Sequence, residues 1–212
     1  MVSVLKLSVI LQFVTGVLPL LFLVIYKKKL RVEFVILLLA SAITTLILLF
    51  TASFGIKNWF FFNFYNAIHL TCITIFYFSL LRSSPFRKYV LILSFLCGAV
   101  LIYDLTYLDI INLTLPAVFF STTTFTVFYF IDNLGKKSKS QTSKAYFIIN
   151  TSLCMYSSFS FFMSFEVQTM MLNHYWMIHN FLESFSKLVI AFAVLKLPNK
   201  TEDLNPKSIT LT

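Results

Sequence analysis

Charge is scarce in this chain, and so are glycine and proline. Asp, Glu, Lys and Arg make up 12% of its 212 residues, about half the share found in a soluble globular domain. That excludes an ordinary water-facing surface over most of its length. Four glycines and five prolines leave little material for turns, so neither a many-stranded barrel nor long connecting loops fit. Barrel strands would also read as segments of about ten residues with alternating polarity, and none is visible. Cysteine is limited to Cys72, Cys97 and Cys154, each inside an apolar run. An odd number placed there argues against a disulfide framework and for small packing side chains.

What fills the space is hydrocarbon. Hydrophobic residues reach 58%, with a mean hydropathy of +0.86. Seven runs approach the ~20 apolar residues that a helix needs to cross a bilayer. They fall at 4–26, 32–53, 59–81, 89–103, 110–131, 145–165 and 171–195. The fourth is the shortest because Asp104 interrupts it; it gains length by tilting or by running through Asp104 to Leu108. The first has no basic leader and no small-residue cleavage site after it, so it reads as a retained helix and not as a signal peptide. The expected fold is therefore an all-α integral membrane protein: a single seven-transmembrane-helix bundle over residues 1–197, followed by a short polar tail, 198–212.

Orientation follows from the basic residues, which collect on the cytoplasmic side of a membrane protein. The links after spans one, three and five hold Lys27, Lys28, Lys29 and Arg31; Arg82, Arg87 and Lys88; and Lys136, Lys137, Lys139 and Lys144. The tail adds Lys196, Lys200 and Lys207. The links on the opposite side hold only Lys57. The N-terminus is thus expected outside and the C-terminus in the cytoplasm. The net charge of +9 is topology, dispersed over four short segments. That makes nucleic acid a poor partner and anionic lipid headgroups a natural one.

The seventh span departs from the rest. At 100° per residue, Trp176, His179, Asn180, Glu183 and Lys187 fall within an arc of about 100°, and the same arc continues as Ile190 and Val194. Ionisable groups inside a membrane are costly, so they face the bundle interior and mark working sites. Glu183 and Lys187 stand at i, i+4 with the acid first, the better order for an ion pair. Asn66 and His69 share one face of the third span at a comparable depth, and Gln12 lies level with them on the first. Convergence of Gln12, Asn66, His69, His179, Asn180, Glu183 and Lys187 on one outward-facing pocket is the site this pattern predicts. Aligning Asn66 with Asn180 also sets His69 on Glu183 and Arg82 on Lys196, the mark of a parallel duplication of three spans joined by the fourth.

The bland alternatives are an ion pair that neutralises itself, an Asn–His pair that bonds neighbouring helices, and Trp59 and Trp176 as interfacial anchors. Asp104, Asp109 and Asp132 stand near helix ends, where wetting is expected. Pro116 is expected to kink the fifth span.

Binding fits these residues better than catalysis. A receptor-like or accessory sensor subunit would take a small ligand or a proton at the stripe. Lacking a cytoplasmic output domain within these residues, it would signal through a cytoplasmic or membrane partner protein, and a homo-oligomer stays open. Other classes use the same groups. The last helix resembles that of microbial rhodopsins, which carry an acid four residues before a lysine as Glu183 and Lys187 stand here; that resemblance implies a retinal cofactor on Lys187. It is also similar to the last helix of zinc-dependent heptahelical amidases, implying a hydrolase built on His69, His179 and Glu183. A small transporter is a further alternative. The segment Trp176-Met177-Ile178-His179-Asn180 and the helix from Asn63 to Arg82 resemble small, mostly uncharacterised seven-helix inner-membrane proteins of Gram-negative bacteria. That likeness implies a bacterial inner-membrane location and singles out His179 and Asn180.

Overall fold

In a computed structural model the described residues are 2–28, 30–53, 59–81, 84–106, 113–134, 140–166 and 172–198. They form seven α-helices: α1 (Val2–Ile25), α2 (Val32–Ser53), α3 (Trp59–Leu80), α4 (Arg87–Thr106), α5 (Thr114–Asn133), α6 (Gln141–Glu166) and α7 (Leu172–Leu195). No β-strand occurs among the described residues. Lys29, Lys57, Arg82, Asp109, Lys136, Lys137, Lys139 and the tail beyond residue 198 lie outside them, as do the side chains of Trp59 and Trp176.

The helix ends have local causes. After α1 the chain turns through Lys27 in the left-handed region (φ 48°). The Lys28 N–H then bonds the Leu23 carbonyl at 3.0 Å, and the Lys27 N–H bonds that of Val24 at 3.3 Å. This is a Schellman closure, which satisfies carbonyls that the end of a helix leaves open. The Lys28 ammonium donates to the Leu197 carbonyl at 2.6 Å, placing a cation where the α7 dipole is negative.

α4 runs through Asp104 to Thr106, and Asp104 is not wetted as its position suggested. It is 2% exposed, and its Oδ2 accepts from the Thr114 N–H and the Thr114 hydroxyl, both at 2.6 Å. The residue before α5, Leu113, offers no side-chain cap. The α4 carboxylate takes that role, meeting the orphan donors and positive dipole of the α5 N-terminus. Pro116 is the third residue of α5 and so sits in the first turn, where no intrahelical hydrogen bond is lost. The expected kink has no cause there.

The helices pack as a ring in the order α1–α2–α3–α5–α6–α7, with α7 returning to α1; α4 lies outside the α3–α5 seam and touches both. α4 buries a narrow stripe, Val90, Cys97 and Asp104, and turns Phe95 and Ile102 outward. Large apolar side chains line the outside elsewhere too, among them Val24, Met155, Phe162 and Phe185. An apolar perimeter this continuous is not what water-facing monomers carry. Among the described residues, four helical stretches are long and apolar enough to cross a bilayer: Lys6–Ile25, Arg87–Thr106, Thr114–Asn133 and Met177–Leu195.

The interior divides in two. Toward the end that carries Lys28, Arg31, Arg87, Lys144 and Lys196, one apolar cluster fills the ring. Phe34, Phe76, Phe125, Ile149, Val194 and Leu197 belong to it, and a hydrogen bond from the Tyr77 hydroxyl to Asn150 Oδ1 ties α3 to α6 inside it. Toward the other end buried polar groups gather beside two small apolar clusters around Val118 and Phe119, and the candidate site lies there.

Candidate functional site

α7 builds the site because its stripe faces inward. His179, Asn180, Glu183 and Lys187 are all buried, while Phe181, Phe185, Leu188 and Phe192 on the opposite face are exposed. The continuation of the stripe, Ile190 and Val194, enters the apolar core.

Glu183 is the hub. Its Oε1 lies 2.6 Å from the Lys187 ammonium one turn below and accepts from the Ser41 hydroxyl of α2 at 3.0 Å. Its Oε2 accepts from the Gln12 side-chain amide of α1 and lies 3.7 Å from His179 Nε2. One carboxylate therefore receives groups from three helices, which is what a charge buried in low dielectric requires. The Lys187 ammonium rests against α1 at Gly16. A Cβ added there would lie 3.3 Å from Nζ, so the absent side chain is what lets the cation approach that helix.

The histidines differ in company. His179 Nε2 is 3.3 Å from the Tyr156 hydroxyl and Nδ1 is 3.4 Å from the Ser160 hydroxyl, both on α6. His69 Nε2 is 3.3 Å from the Thr122 hydroxyl on α5, and Nδ1 is 3.4 Å from the Tyr65 hydroxyl on its own helix. The Asn180 amide donates to the Ser8 hydroxyl of α1 at 3.1 Å.

These groups surround a cavity of about 40 Å³, and six of the seven residues singled out from sequence line it: Gln12, Asn66, His69, His179, Asn180 and Glu183. Lys187 stands just below, bonded to the hub. Apolar walls come from Leu115, Val118 and Phe119 of α5. A water needs about 10–15 Å³ by this measure, so the space suits a few waters or an occupant of that size. Asn66 is 3% exposed and its side-chain N–H₂ has no partner within the protein. One turn above, Asn63 is buried with neither amide atom bonded. Buried amides of this kind cost free energy unless water or a ligand meets them.

Sequence reasoning missed Ser41, Tyr156, Thr122 and Ser8, the hydroxyls that hold the hub, the two histidines and Asn180. It also missed Asn63. Depth along the helix was the one signal that pointed to them, and Ser and Thr are too common in these spans for depth to single them out.

The geometry also bears on the chemistry. Among the described residues no three His, Cys, Asp or Glu side chains come close enough to share a metal ion, so His69, His179 and Glu183 line one cavity without forming a zinc set. Pockets for drug-sized ligands measure about 300–1,000 Å³, far above the space beside Lys187. Comparison with protein-family models, with curated proteins and with solved structures found no match for this chain.

Proposed function

We propose that this chain is an integral membrane protein of seven crossings, N-terminus outside and C-terminus in the cytoplasm, set in a bacterial inner membrane. It acts as a receptor-like or accessory sensor subunit. A small ligand or a proton reaches the polar cavity from outside, changes the packing around Glu183, and the change passes to a cytoplasmic or membrane partner. The basic residues at one end and the apolar perimeter support the topology. The apolar plug between the cavity and the basic end supports one-sided access, which favours sensing over transport.

The observation that carries this reading is the position of Glu183. It joins α1 through Gln12, α2 through Ser41 and α7 through Lys187, at the wall of a cavity that also receives Asn66 and His69 of α3. A change of charge or of hydrogen-bond partner at that junction acts on four helices at once. Bistable packing biased by one buried charge is a known way of turning local occupancy into a global shift.

The test places paired spin labels at Ile25 and Gln141, at the basic ends of α1 and α6, in the reconstituted protein. Distances are read by pulsed electron resonance between pH 5 and 8. The sensor reading expects a shift in the wild type that the charge-free double variant Glu183→Gln/Lys187→Met abolishes while leaving expression intact. Identical, invariant distances in both proteins would reject a proton as the ligand. The same measurement with extracts of the outer medium then tests small molecules, and invariance there as well would reject the sensor.

A further inference from the structure

The outer wall of the α6–α7 pair holds a second cavity, of about 390 Å³, that opens away from the bundle. Phe147, Met155 and Phe159 of α6 and Phe185 of α7 rim it and are all exposed. Its floor is closed by Ser152 and Ser186, whose hydroxyls bond each other at 2.8 Å, so little polar capacity is left facing into it. The volume lies within the range of small-molecule sites, and its lining is hydrocarbon.

Both walls lead to a cation. On α6, residues 155, 151 and 148 continue along one stripe to Lys144. On α7, residues 185, 189 and 192 continue along one stripe to Lys196, as 100° per residue requires. Lys144 and Lys196 are both exposed, and Lys196 lies 4.8 Å over the Phe192 ring. The neighbouring helix axes of a packed pair run 8–10 Å apart, within reach of two lysine side chains closing on one phosphate.

We infer that this groove is a binding site for an anionic phospholipid. Its acyl chain lies between α6 and α7, and its headgroup phosphate meets Lys144 and Lys196. The inference rests on the membrane reading but not on the polar cavity. Tyr156 joins the two sites: it lines both cavities, and its hydroxyl meets His179.

Native mass spectrometry of the full chain, offered equal phosphatidylglycerol and phosphatidylcholine, tests this. One retained phosphatidylglycerol is expected. A lysine near an anionic surface contributes about fivefold, so Lys144→Ala/Lys196→Ala should bind about 25-fold more weakly. Thr151→Trp, which fills the groove and spares both lysines, should release the lipid. Lys88→Ala, at the same end on α4, should leave it bound. Soluble glycerol phosphate at matched concentration should not displace it. Equal retention of phosphatidylcholine, equal loss in Lys88→Ala, or retention in Thr151→Trp would overturn the site. Full displacement by glycerol phosphate would overturn the groove's part in it. Should the double alanine variant fail to fold, Lys144→Gln/Lys196→Gln replaces it with the same expectation. None of these outcomes bears on the response of Glu183.

Discussion

Removing Lys187 should cost far more than removing Lys187 and the charge of Glu183 together. In Lys187→Met the apolar stem is kept and the ammonium is lost, leaving a buried carboxylate with only the neutral donors Gln12 and Ser41 and His179 at 3.7 Å. At 2.6 Å and an effective dielectric of about 20, the lost Coulomb attraction is about 6 kcal/mol. Relaxation and water penetration offset part of it, and buried pairs broken on one side lose about 3–5 kcal/mol in practice. Glu183→Gln should fall in the same range, because the ammonium is then stranded against Gly16. The double variant Glu183→Gln/Lys187→Met buries no charge, and replacing a buried pair as a whole is often neutral or stabilising by about 1–4 kcal/mol. The measurement is reversible unfolding in mixed micelles, run as a double-mutant cycle. A coupling energy above about 2 kcal/mol is expected. Singles that add to the double within about 0.5 kcal/mol would mean that the two side chains do not meet as a pair, and the hub would lose its basis.

Two further perturbations probe the supports of the site. Asp104→Ala removes both bonds to Thr114 and leaves the first turn of α5 uncapped; a loss of about 2 kcal/mol is expected by thermal unfolding, and a loss under 0.5 kcal/mol would show that water caps α5 equally well. Asn66→Leu keeps the branching at Cγ and deletes an amide whose N–H₂ has no protein partner. In a hydrated cavity it should cost about 1 kcal/mol, whereas a gain in stability would mean that the amide is stranded in a dry interior and that nothing polar enters.

How much of this was legible in the amino-acid sequence depended on the period of each signal. The seven helices coincide with the seven apolar runs because a run of about twenty hydrophobic residues, bounded by lysines or polar links, has few other ways to fold. The α7 stripe was legible because 3.6 residues per turn fixes which side chains share a face, and the cost of ionisable groups at membrane depth gave that face its inward direction. The errors came where a neighbour decided the outcome. Asp104 was expected to be wet because a carboxylate near a helix end usually is; what buries it is the start of α5, brought alongside by a link whose path no periodicity describes. Pro116 was expected to kink a helix starting at 110, but α5 starts at Thr114, so the same proline sits in the first turn. The hydroxyl partners were hidden for a different reason. A Ser or Thr in an apolar helix can bond its own preceding turn, as Thr45 bonds the Ser41 carbonyl at 2.8 Å and Ser184 the Asn180 carbonyl at 2.7 Å. Nothing in the sequence tells such a residue from Ser41, whose hydroxyl crosses to Glu183.

The packing order can be set beside the parallel duplication of three spans that the sequence pattern suggests. The interval that aligns Asn66 with Asn180 and His69 with Glu183 also aligns Ser8 with Thr122. In the ring, α7 lies against α1 and α3 lies against α5. Asn180 bonds Ser8 across the first seam, and His69 meets Thr122 across the second. Each half thus offers a polar residue of its third helix to a hydroxyl on the first helix of the other half, with α4 left outside as the connector. An arrangement of this kind would make both seams alike if the residues were alike. They are not: the α7 seam carries an acid and its lysine, while the α3 seam carries a neutral Asn and a histidine. The charge is therefore concentrated on one seam and the unmet hydrogen-bonding capacity of Asn66 on the other, with the cavity between them. An occupant bridging the two would meet a carboxylate on one side and an unpaired amide donor on the other.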